Sequence, residues 1–217
     1  MPQLENQVVL ITLAAGEIGS QIAKLFAAEG AAVALLDRAD SNLGALALEI
    51  EAMGARVSVH PTDISDSQEV ARAVAGAVEA HGKISSLINT MEISRTDKVT
   101  EMSDADFDAM VATNLKGVWL AIRHGVPQLR GSENASIINF SSGEVFNNSS
   151  MTLALAKELR SDGIRVNQIA LGQIALSQAN AGSQADQVAQ AALYLCSSRA
   201  ALVTGSVLFL DAGLHNR

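Results

Sequence analysis

The sequence lacks the features that disulfide-bonded secreted proteins, nucleic-acid-binding proteins and membrane proteins require. Its 217 residues include one cysteine, so no disulfide can form within the chain and a reducing compartment is expected. A formal charge of -8 leaves no basic block that could neutralise phosphates. No apolar run reaches the length of a membrane span, and the start lacks the basic and apolar regions of a leader. We therefore expect a cytoplasmic protein that binds neither nucleic acid nor membrane.

Aromatic residues are also scarce, which limits the candidates for catalysis. They form 3% of the chain, with one tyrosine, Tyr194, and one tryptophan, Trp119. The apolar pattern around Tyr194 and Cys196 predicts a core or boundary tyrosine and a buried thiol. Trp119 and Ile122 are expected in the core or in a subunit contact, and the four histidines have no metal-ligand spacing.

Small aliphatic residues dominate instead, in alternating strand and helix patterns. Apolar residues make up 48% of the chain, enough for one sizeable core, so we predict a single domain over residues 1–217. The alternation predicts an α/β fold, a doubly wound Rossmann-like parallel sheet of about seven strands in three α/β/α layers. The predicted strands are 8–11, 32–36, 57–60, 87–89, 137–140, 166–170 and 207–210. The predicted helices are 18–29, 41–53, 67–80, 107–129 as one or two helices, 153–159 and 188–195, with polar loops over 147–150 and 177–183.

The turn after the first predicted strand has part of a phosphate-binding pattern. Such a turn lets a phosphate approach backbone N–H groups at a helix N-terminus, which requires glycine where side chains would obstruct it. Here the turn reads Thr12-Leu13-Ala14-Ala15-Gly16-Glu17-Ile18-Gly19. Asp37 lies 18 positions after Gly19, where a carboxylate can accept from both ribose hydroxyls and repel a 2′-phosphate. This spacing favours NAD over NADP.

Motifs along almost the whole chain resemble those of the short-chain dehydrogenase/reductase family. The turn is similar to the family's Thr-Gly-x-x-x-Gly-x-Gly, and Asn89 opens a segment similar to its Asn-Asn-Ala-Gly. Asn114 matches the family's helix asparagine, and Ser142 matches its serine after the fifth strand. The remaining matches are Asp63-Ile64, Gly163-Ile164-Arg165-Val166-Asn167, Val203-Thr204-Gly205 and Asp211-Ala212-Gly213.

This resemblance implies an oxidoreductase that transfers hydride between NAD(H) and a small-molecule carbonyl or alcohol. It implies Asn114 and Ser142 as members of the catalytic set. It also implies a homodimer or homotetramer, formed through the long helix and through the last helix and strand. The implied cofactor-binding residues are Thr12, Gly16, Ile18, Gly19, Asp37, Asp63, Ile64 and Asn89.

The turn departs from the family pattern at two of its three glycines, which are replaced by Leu13 and Glu17. A carboxylate about 5 Å from a phosphate charge costs about 3 kcal/mol at an effective dielectric near 20. That energy is roughly a hundredfold in affinity. We hypothesise that Glu17 occupies the positive end of the following helix, where a pyrophosphate would otherwise lie.

The expected reaction centre is shortened. In the family, a tyrosine transfers the proton and a lysine four positions later lowers its pKa, whereas Ser198 lies four positions after Tyr194. Ser142 and Gly163 are only 21 positions apart, too few for the family's loop, tyrosine, lysine and full helix. We expect a shortened catalytic helix after residue 146 and a shortened substrate lid over 173–184. Either the protein lacks these segments or the sequence omits residues, and the intact mass distinguishes the two.

Three functions follow from these patterns. The first is the family's oxidoreductase activity, impaired by the missing tyrosine and lysine. The second is a non-catalytic or engineered scaffold that binds no dinucleotide, because Leu13, Glu17, Met91 and Glu92 replace small residues where a cofactor would touch backbone. The third is a Mg²⁺ or Ca²⁺ site formed by Glu17, Glu92 and Glu144, which follow neighbouring strands.

Overall fold

The computed structural model describes residues 2–90, 100–142, 149–172 and 181–212. Seven parallel strands form one sheet in the order β3-β2-β1-β4-β5-β6-β7, which confirms the predicted fold. The order reverses between β1 and β4, the position at which open α/β sheets bind ligands at their carboxyl edge. The strands are β1 Val8–Thr12, β2 Ala32–Asp37, β3 Val57–Pro61, β4 Ser86–Asn89, β5 Ser136–Ser142, β6 Arg165–Leu171 and β7 Val207–Leu210.

Helices cover both faces of the sheet because each strand presents alternate side chains to opposite sides. Val9 and Ile11 of β1 pack in one apolar cluster, and Leu10 packs in the other. No helix of the described segments is both long and apolar enough to cross a bilayer. The helices are α1 Glu17–Ala28, α2 Leu43–Ala52, α3 Ser67–His81, α4 Asp104–Val111, α5 Val118–Leu129, α6 Ser149–Glu158 and α7 Ala181–Cys196.

The predicted helix over 107–129 is interrupted rather than simply long or double. A π-helical segment, Ala112–Gly117, joins α4 to α5. Such segments are rare and frequently lie at functional sites. Of the two predicted places, core or subunit contact, Ile122 is in the core, whereas the exposed Trp119 of α5 is not.

Two loops predicted from polar composition are partly helical. Ser149 and Ser150 belong to α6, and residues 181–183 belong to α7. The apolar periodicity begins only after the first turn of each helix, because polar residues are favoured where N–H groups lack partners within the helix. The prediction therefore placed both helix starts too late.

The amino edge of the sheet holds the end of α7 through a buried arginine. The Arg165 guanidinium, at the start of β6, donates to the carbonyl oxygens of Leu195 (2.6 Å), Cys196 (3.3 Å) and Ser197 (3.5 Å). These bonds satisfy carbonyls that have no partner within the helix. Burial raises the pKa of Cys196 to about 11, so its thiol is neutral, and the prediction of a buried thiol is confirmed.

Candidate functional site

A cleft of about 590 Å³ opens at the carboxyl edge of the sheet, where β1, β2 and β3 end beside α1. The π-helical segment and α7 line its other side. The cleft brings together six of the ten predicted site residues: Gly16, Ile18, Gly19, Asp37, Asp63 and Ile64. Its other lining residues are Leu13, Glu17, Arg38, Thr62, Ser65, Thr90, Ala109, Ala112, Thr113 and Ala185.

Leu13 occupies a backbone conformation that favours glycine. Its φ is +49°, in the left-handed region, which costs an L residue roughly 1 kcal/mol. The Leu13 side chain packs against the apolar cluster that contains Leu10, which offsets part of this strain. The turn thus keeps a left-handed residue at Leu13, which packs against this cluster and also lines the cleft.

Gly19 lets α1 pack directly on the turn. A Cβ atom at this position would lie 2.6 Å from the Leu13 carbonyl oxygen and 2.9 Å from the Ala14 Cα. Real side chains do not reach these distances, so only glycine fits without a backbone shift. This close packing is the role of the last glycine in dinucleotide-binding turns.

Glu17 is the first residue of α1, and its side chain is exposed at the cleft. The preceding residue, Gly16, has no side chain that could cap the helix. A carboxylate in the first turn is stabilised by the helix dipole by about 0.3–1 kcal/mol. Glu17 therefore places a negative charge at the helix end where an anion would otherwise be attracted.

Asp37 has a structural role that the sequence pattern did not predict. Its Oδ2 accepts a hydrogen bond from the Ala15 N–H (2.9 Å), and its Oδ1 accepts one from the Arg38 N–H (2.8 Å). The parallel pairing of Thr12 with Leu36 puts Asp37 directly beside the turn. This strand register is the feature from which the contact could have been predicted. Each carboxylate oxygen keeps acceptor capacity for a ligand hydroxyl.

The loop after β3 forms the far wall of the cleft. Asp63 Oδ1 accepts from the Ser65 N–H (2.8 Å) and hydroxyl (2.7 Å), which fixes this carboxylate. Ile64 is buried, and a Cβ atom at Gly117 would lie 2.8 Å from its Cδ1. Gly117 of the π-helical segment therefore lets that segment pack closely against Ile64.

Thr12 and Asn89 do not line the cleft. Both are buried, and Asn89 Nδ2 donates to Asn139 Oδ1 (2.9 Å), whose own amide donates to Thr152 Oγ1 (3.1 Å). This chain of side chains links β4, β5 and α6. The carboxyl ends of the central strands are thereby held together by buried hydrogen bonds.

Neither of the two predicted catalytic residues is in the lining of the cleft. Asn114 is in the π-helical segment, directly after the lining residues Ala112 and Thr113. Ser142 is the last residue of β5 and pairs with Leu171. The segment that follows, 143–148, and the predicted lid residues 173–180 lie outside the described residues.

The only tyrosine lies at the wrong edge of the sheet for chemistry with these residues. Tyr194 is in the last turn of α7, and Arg165 holds that turn at the amino edge. Ser142 ends a seven-residue strand at the opposite edge, on the order of 20 Å away at about 3.3 Å per residue. Tyr194 is 40% exposed and so is a boundary residue.

The proposed cation ligands cannot be compared as a set, because Glu92 and Glu144 lie outside the described residues. Within the described ranges, no three His, Cys, Asp or Glu side chains are grouped to hold a metal ion. Among the described residues, the charged groups that line the cleft are the carboxylates of Glu17, Asp37 and Asp63 and the guanidinium of Arg38. Arg38 also contacts Asp40, with Nε 3.3 Å from Oδ1.

Comparisons with known proteins relate this chain to oxidoreductases. A model of the family described as short chain dehydrogenase matches residues 7–152. A 3-oxoacyl-[acyl-carrier-protein] reductase of Thermotoga maritima is 34% identical, over 98% of this chain and 99% of that protein. The alignment extends over 243 positions against 217 residues in this chain, so at least 26 positions (243 - 217) have no counterpart here.

Solved structures support the same relationship. A dehydrogenase/reductase from Sinorhizobium meliloti has a TM-score of 0.87 at 27% identity and covers 97% of this chain and 96% of its own. A short chain dehydrogenase from Burkholderia cenocepacia, solved in complex with NADP, has a TM-score of 0.86 at 26% identity. It covers 97% of this chain and 98% of its own.

Proposed function

We propose that this chain, which belongs to the short-chain dehydrogenase/reductase family of oxidoreductases, has strongly impaired hydride transfer between NAD(H) and a small carbonyl or alcohol. The observation that carries this proposal is the position of Tyr194, the single tyrosine, at the amino edge of the sheet. Asn114 and Ser142 correspond to surviving members of the family's catalytic set. Neither can replace the phenol that donates the proton.

The energetic consequence is large. General acid–base catalysis typically contributes about 10²- to 10⁴-fold to a rate. We attribute some of the 26 or more alignment positions without a counterpart here to loss of the tyrosine and lysine segment after Ser142. We expect turnover to be lower than in a complete relative by about this factor.

The two halves of the cleft differ in how well they fit NAD(H). Asp37 beside Thr62 and Asp63 suits a ribose diol and disfavours a 2′-phosphate, which supports NAD(H) over NADP(H). The half of the cleft where the pyrophosphate would lie does not fit that group. Leu13 and Glu17 occupy the turn whose backbone N–H groups would need to be open to the phosphates. The cleft, together with Asn114 and Ser142, therefore resembles an NAD(H) site in which the pyrophosphate region is obstructed.

Exposed apolar residues support the proposal of a homodimer or homotetramer. Phe107, Leu115 and Trp119 are 40–50% exposed along the α4–α5 region, and Leu208 and Phe209 are exposed on β7. Burial of such groups against a second copy is favourable. Sedimentation of the intact chain measures the assembly directly. The reducing compartment inferred from the single cysteine keeps the cytoplasm as the proposed location.

The impairment is tested by NADH oxidation with a panel of ketones and aldehydes, after the intact mass is verified as 22.6 kDa. The Thermotoga maritima relative, assayed in parallel, is the reference. We expect a rate at least about a hundredfold below the reference with its best substrate. A rate within tenfold would show that another group supplies the proton and would refute the proposal.

The scaffold alternative predicts a different result. A protein that binds no nucleotide would show no heat of binding with any nucleotide or nucleoside. Leu13 and Glu17 favour the absence of dinucleotide binding. The open side of the cleft at Asp37 favours binding of smaller ligands.

A further inference from the structure

Two histidines come together between the edge strand β3 and helix α3. His60 lies in β3, and His81 is the last residue of α3. We propose that the Nε2 atoms of His60 and His81 bind one divalent transition-metal ion, Cu²⁺ more tightly than Zn²⁺. Neither residue lines the cleft, so this metal site is separate from the proposed NAD(H) site and does not depend on the proposed function.

A single serine hydroxyl lies between the two imidazoles. Ser58 Oγ is 2.8 Å from His60 Nε2 and 2.9 Å from His81 Nε2. Both nitrogens therefore point at the same small volume. An ion at that place would need Zn–N distances of about 2.0–2.1 Å, so each nitrogen would have to approach it by less than about 1 Å. Movements of that size need only small rotations of the two rings.

Regular backbone structure fixes the positions of both ligands. Ser58 and His60 are two residues apart in β3 and so lie on the same face of the strand. The His60 ring packs on α3 at Gly76, where an added Cβ atom would lie 3.0 Å from its Cε1 and Nδ1. This contact holds the Nδ1 side of the ring against the helix while Nε2 faces Ser58. Metal binding would therefore require little ordering of side chains.

The ligand atoms define the class of metal. Imidazole nitrogen suits Zn²⁺, Cu²⁺ and Ni²⁺, whereas Mg²⁺ and Ca²⁺ prefer oxygen. Imidazole must be neutral to bind a metal ion. Desolvation lowers the pKa of His60, and desolvation followed by the charge of Arg56 lowers the pKa of His81, so both rings are available at neutral pH. Arg56 itself is exposed, and water screens its repulsion of a bound cation.

Two protein nitrogens make an open site of moderate affinity. In the described part of the chain, no third His, Cys, Asp or Glu side chain joins the pair, which leaves positions for water and for the Ser58 hydroxyl. His81 Nδ1 is buried without a hydrogen-bond partner among the described residues. It therefore lacks the second hydrogen bond that strengthens most metal-bound histidines. We expect an affinity well below that of a structural zinc site with four protein ligands.

The test is calorimetric titration of the full chain, first freed of metal with a chelator, with CuCl₂ and with ZnCl₂. We expect one ion per chain, with Cu²⁺ binding more tightly than Zn²⁺. His60→Gln and His81→Gln should each lower the affinity at least about tenfold, because each removes one of two ligands. His124→Gln is the control and should change the affinity less than about twofold. His124 also lies beside a serine hydroxyl, with Nε2 3.0 Å from Ser67 Oγ.

NMR of the histidine rings in the unmodified chain locates the ion without any substitution. Zn²⁺ should shift the ring signals of His60 and His81 together, and at ten times its Kd it should raise the Tm by about 3–5 °C. The proposal is overturned by the absence of saturable binding below millimolar metal. It is also overturned by full affinity in either glutamine variant, or by Zn²⁺ shifts at His124 without shifts at His60 and His81. Circular dichroism verifies that each variant folds, and the NMR result decides if one does not.

Discussion

The two edges of the sheet differ in what their side chains contact. At the amino edge, Arg165 joins β6 to α7, and the Ser136 and Ser86 hydroxyls pair at 2.9 Å. At the carboxyl edge, Leu13 and Glu17 replace two glycines of the turn. The amino edge stabilises the fold, whereas the carboxyl edge would hold the ligand. The carboxyl edge also has stabilising contacts, at Asn89 and Gly19, but the proposed ligand-binding residues lie at that edge alone.

The largest effect is expected at the amino edge, for Arg165→Met. The substitution removes three hydrogen bonds to buried carbonyl oxygens, so we predict a loss of about 3 kcal/mol in the free energy of unfolding. Urea denaturation measures this change. Arg160→Met, at an exposed arginine, is the control and should change stability by less than about 0.5 kcal/mol.

Equal stability losses in these two arginine variants would contradict the comparison. The amino edge would then be no more important to the fold than an exposed position.

A smaller loss is expected for Gly19→Ala at the carboxyl edge. The new Cβ would meet the backbone of Leu13 and Ala14, and the resulting shift costs about 1–3 kcal/mol. Gly44→Ala in α2 has open space and should instead gain about 0.5–1 kcal/mol. Thermal unfolding should show a lower melting temperature for Gly19→Ala and a higher one for Gly44→Ala. A stabilised Gly19→Ala variant would mean that α1 does not pack on the turn as described.

Sequence patterns were sufficient for the sheet because each strand is a short apolar run between helices of regular periodicity. They were less accurate where polar residues begin a helix, as at Ser149. The predicted cofactor residue Asn89 is buried in hydrogen bonds between strands, a role that depends on the long-range pairing with Asn139. Asp37 likewise supports the turn through Ala15, and only the strand register reveals that contact.

The smallest expected effect is a dependence of stability on pH. It arises at β3, away from the Arg165 contacts and from the turn after β1. Ser58 Oγ lies 2.8 Å from His60 Nε2 and 2.9 Å from His81 Nε2. Desolvation lowers the pKa of both histidines, and Arg56 lowers that of His81 further. Because each pKa is lower in the folded state, the stabilisation is present above the ordinary value of 6.5 and is lost as pH falls through the folded-state values.

Denaturation of the intact chain and of His81→Gln between pH 7.5 and 5 measures this dependence. The decline in stability on acidification should be shallower in the variant. An equally steep decline would assign the acid sensitivity to other groups.

The most direct test of the central claim is a backbone amide NMR titration of the intact chain with NAD. With Glu17 at the start of α1, we predict that shift changes concentrate around Asp37 and residues 62–65. The amides of residues 16–19 should move little, and no saturation should occur at micromolar NAD. Saturable shifts of the 16–19 amides at micromolar NAD would show that the pyrophosphate seat is open, and would contradict the account.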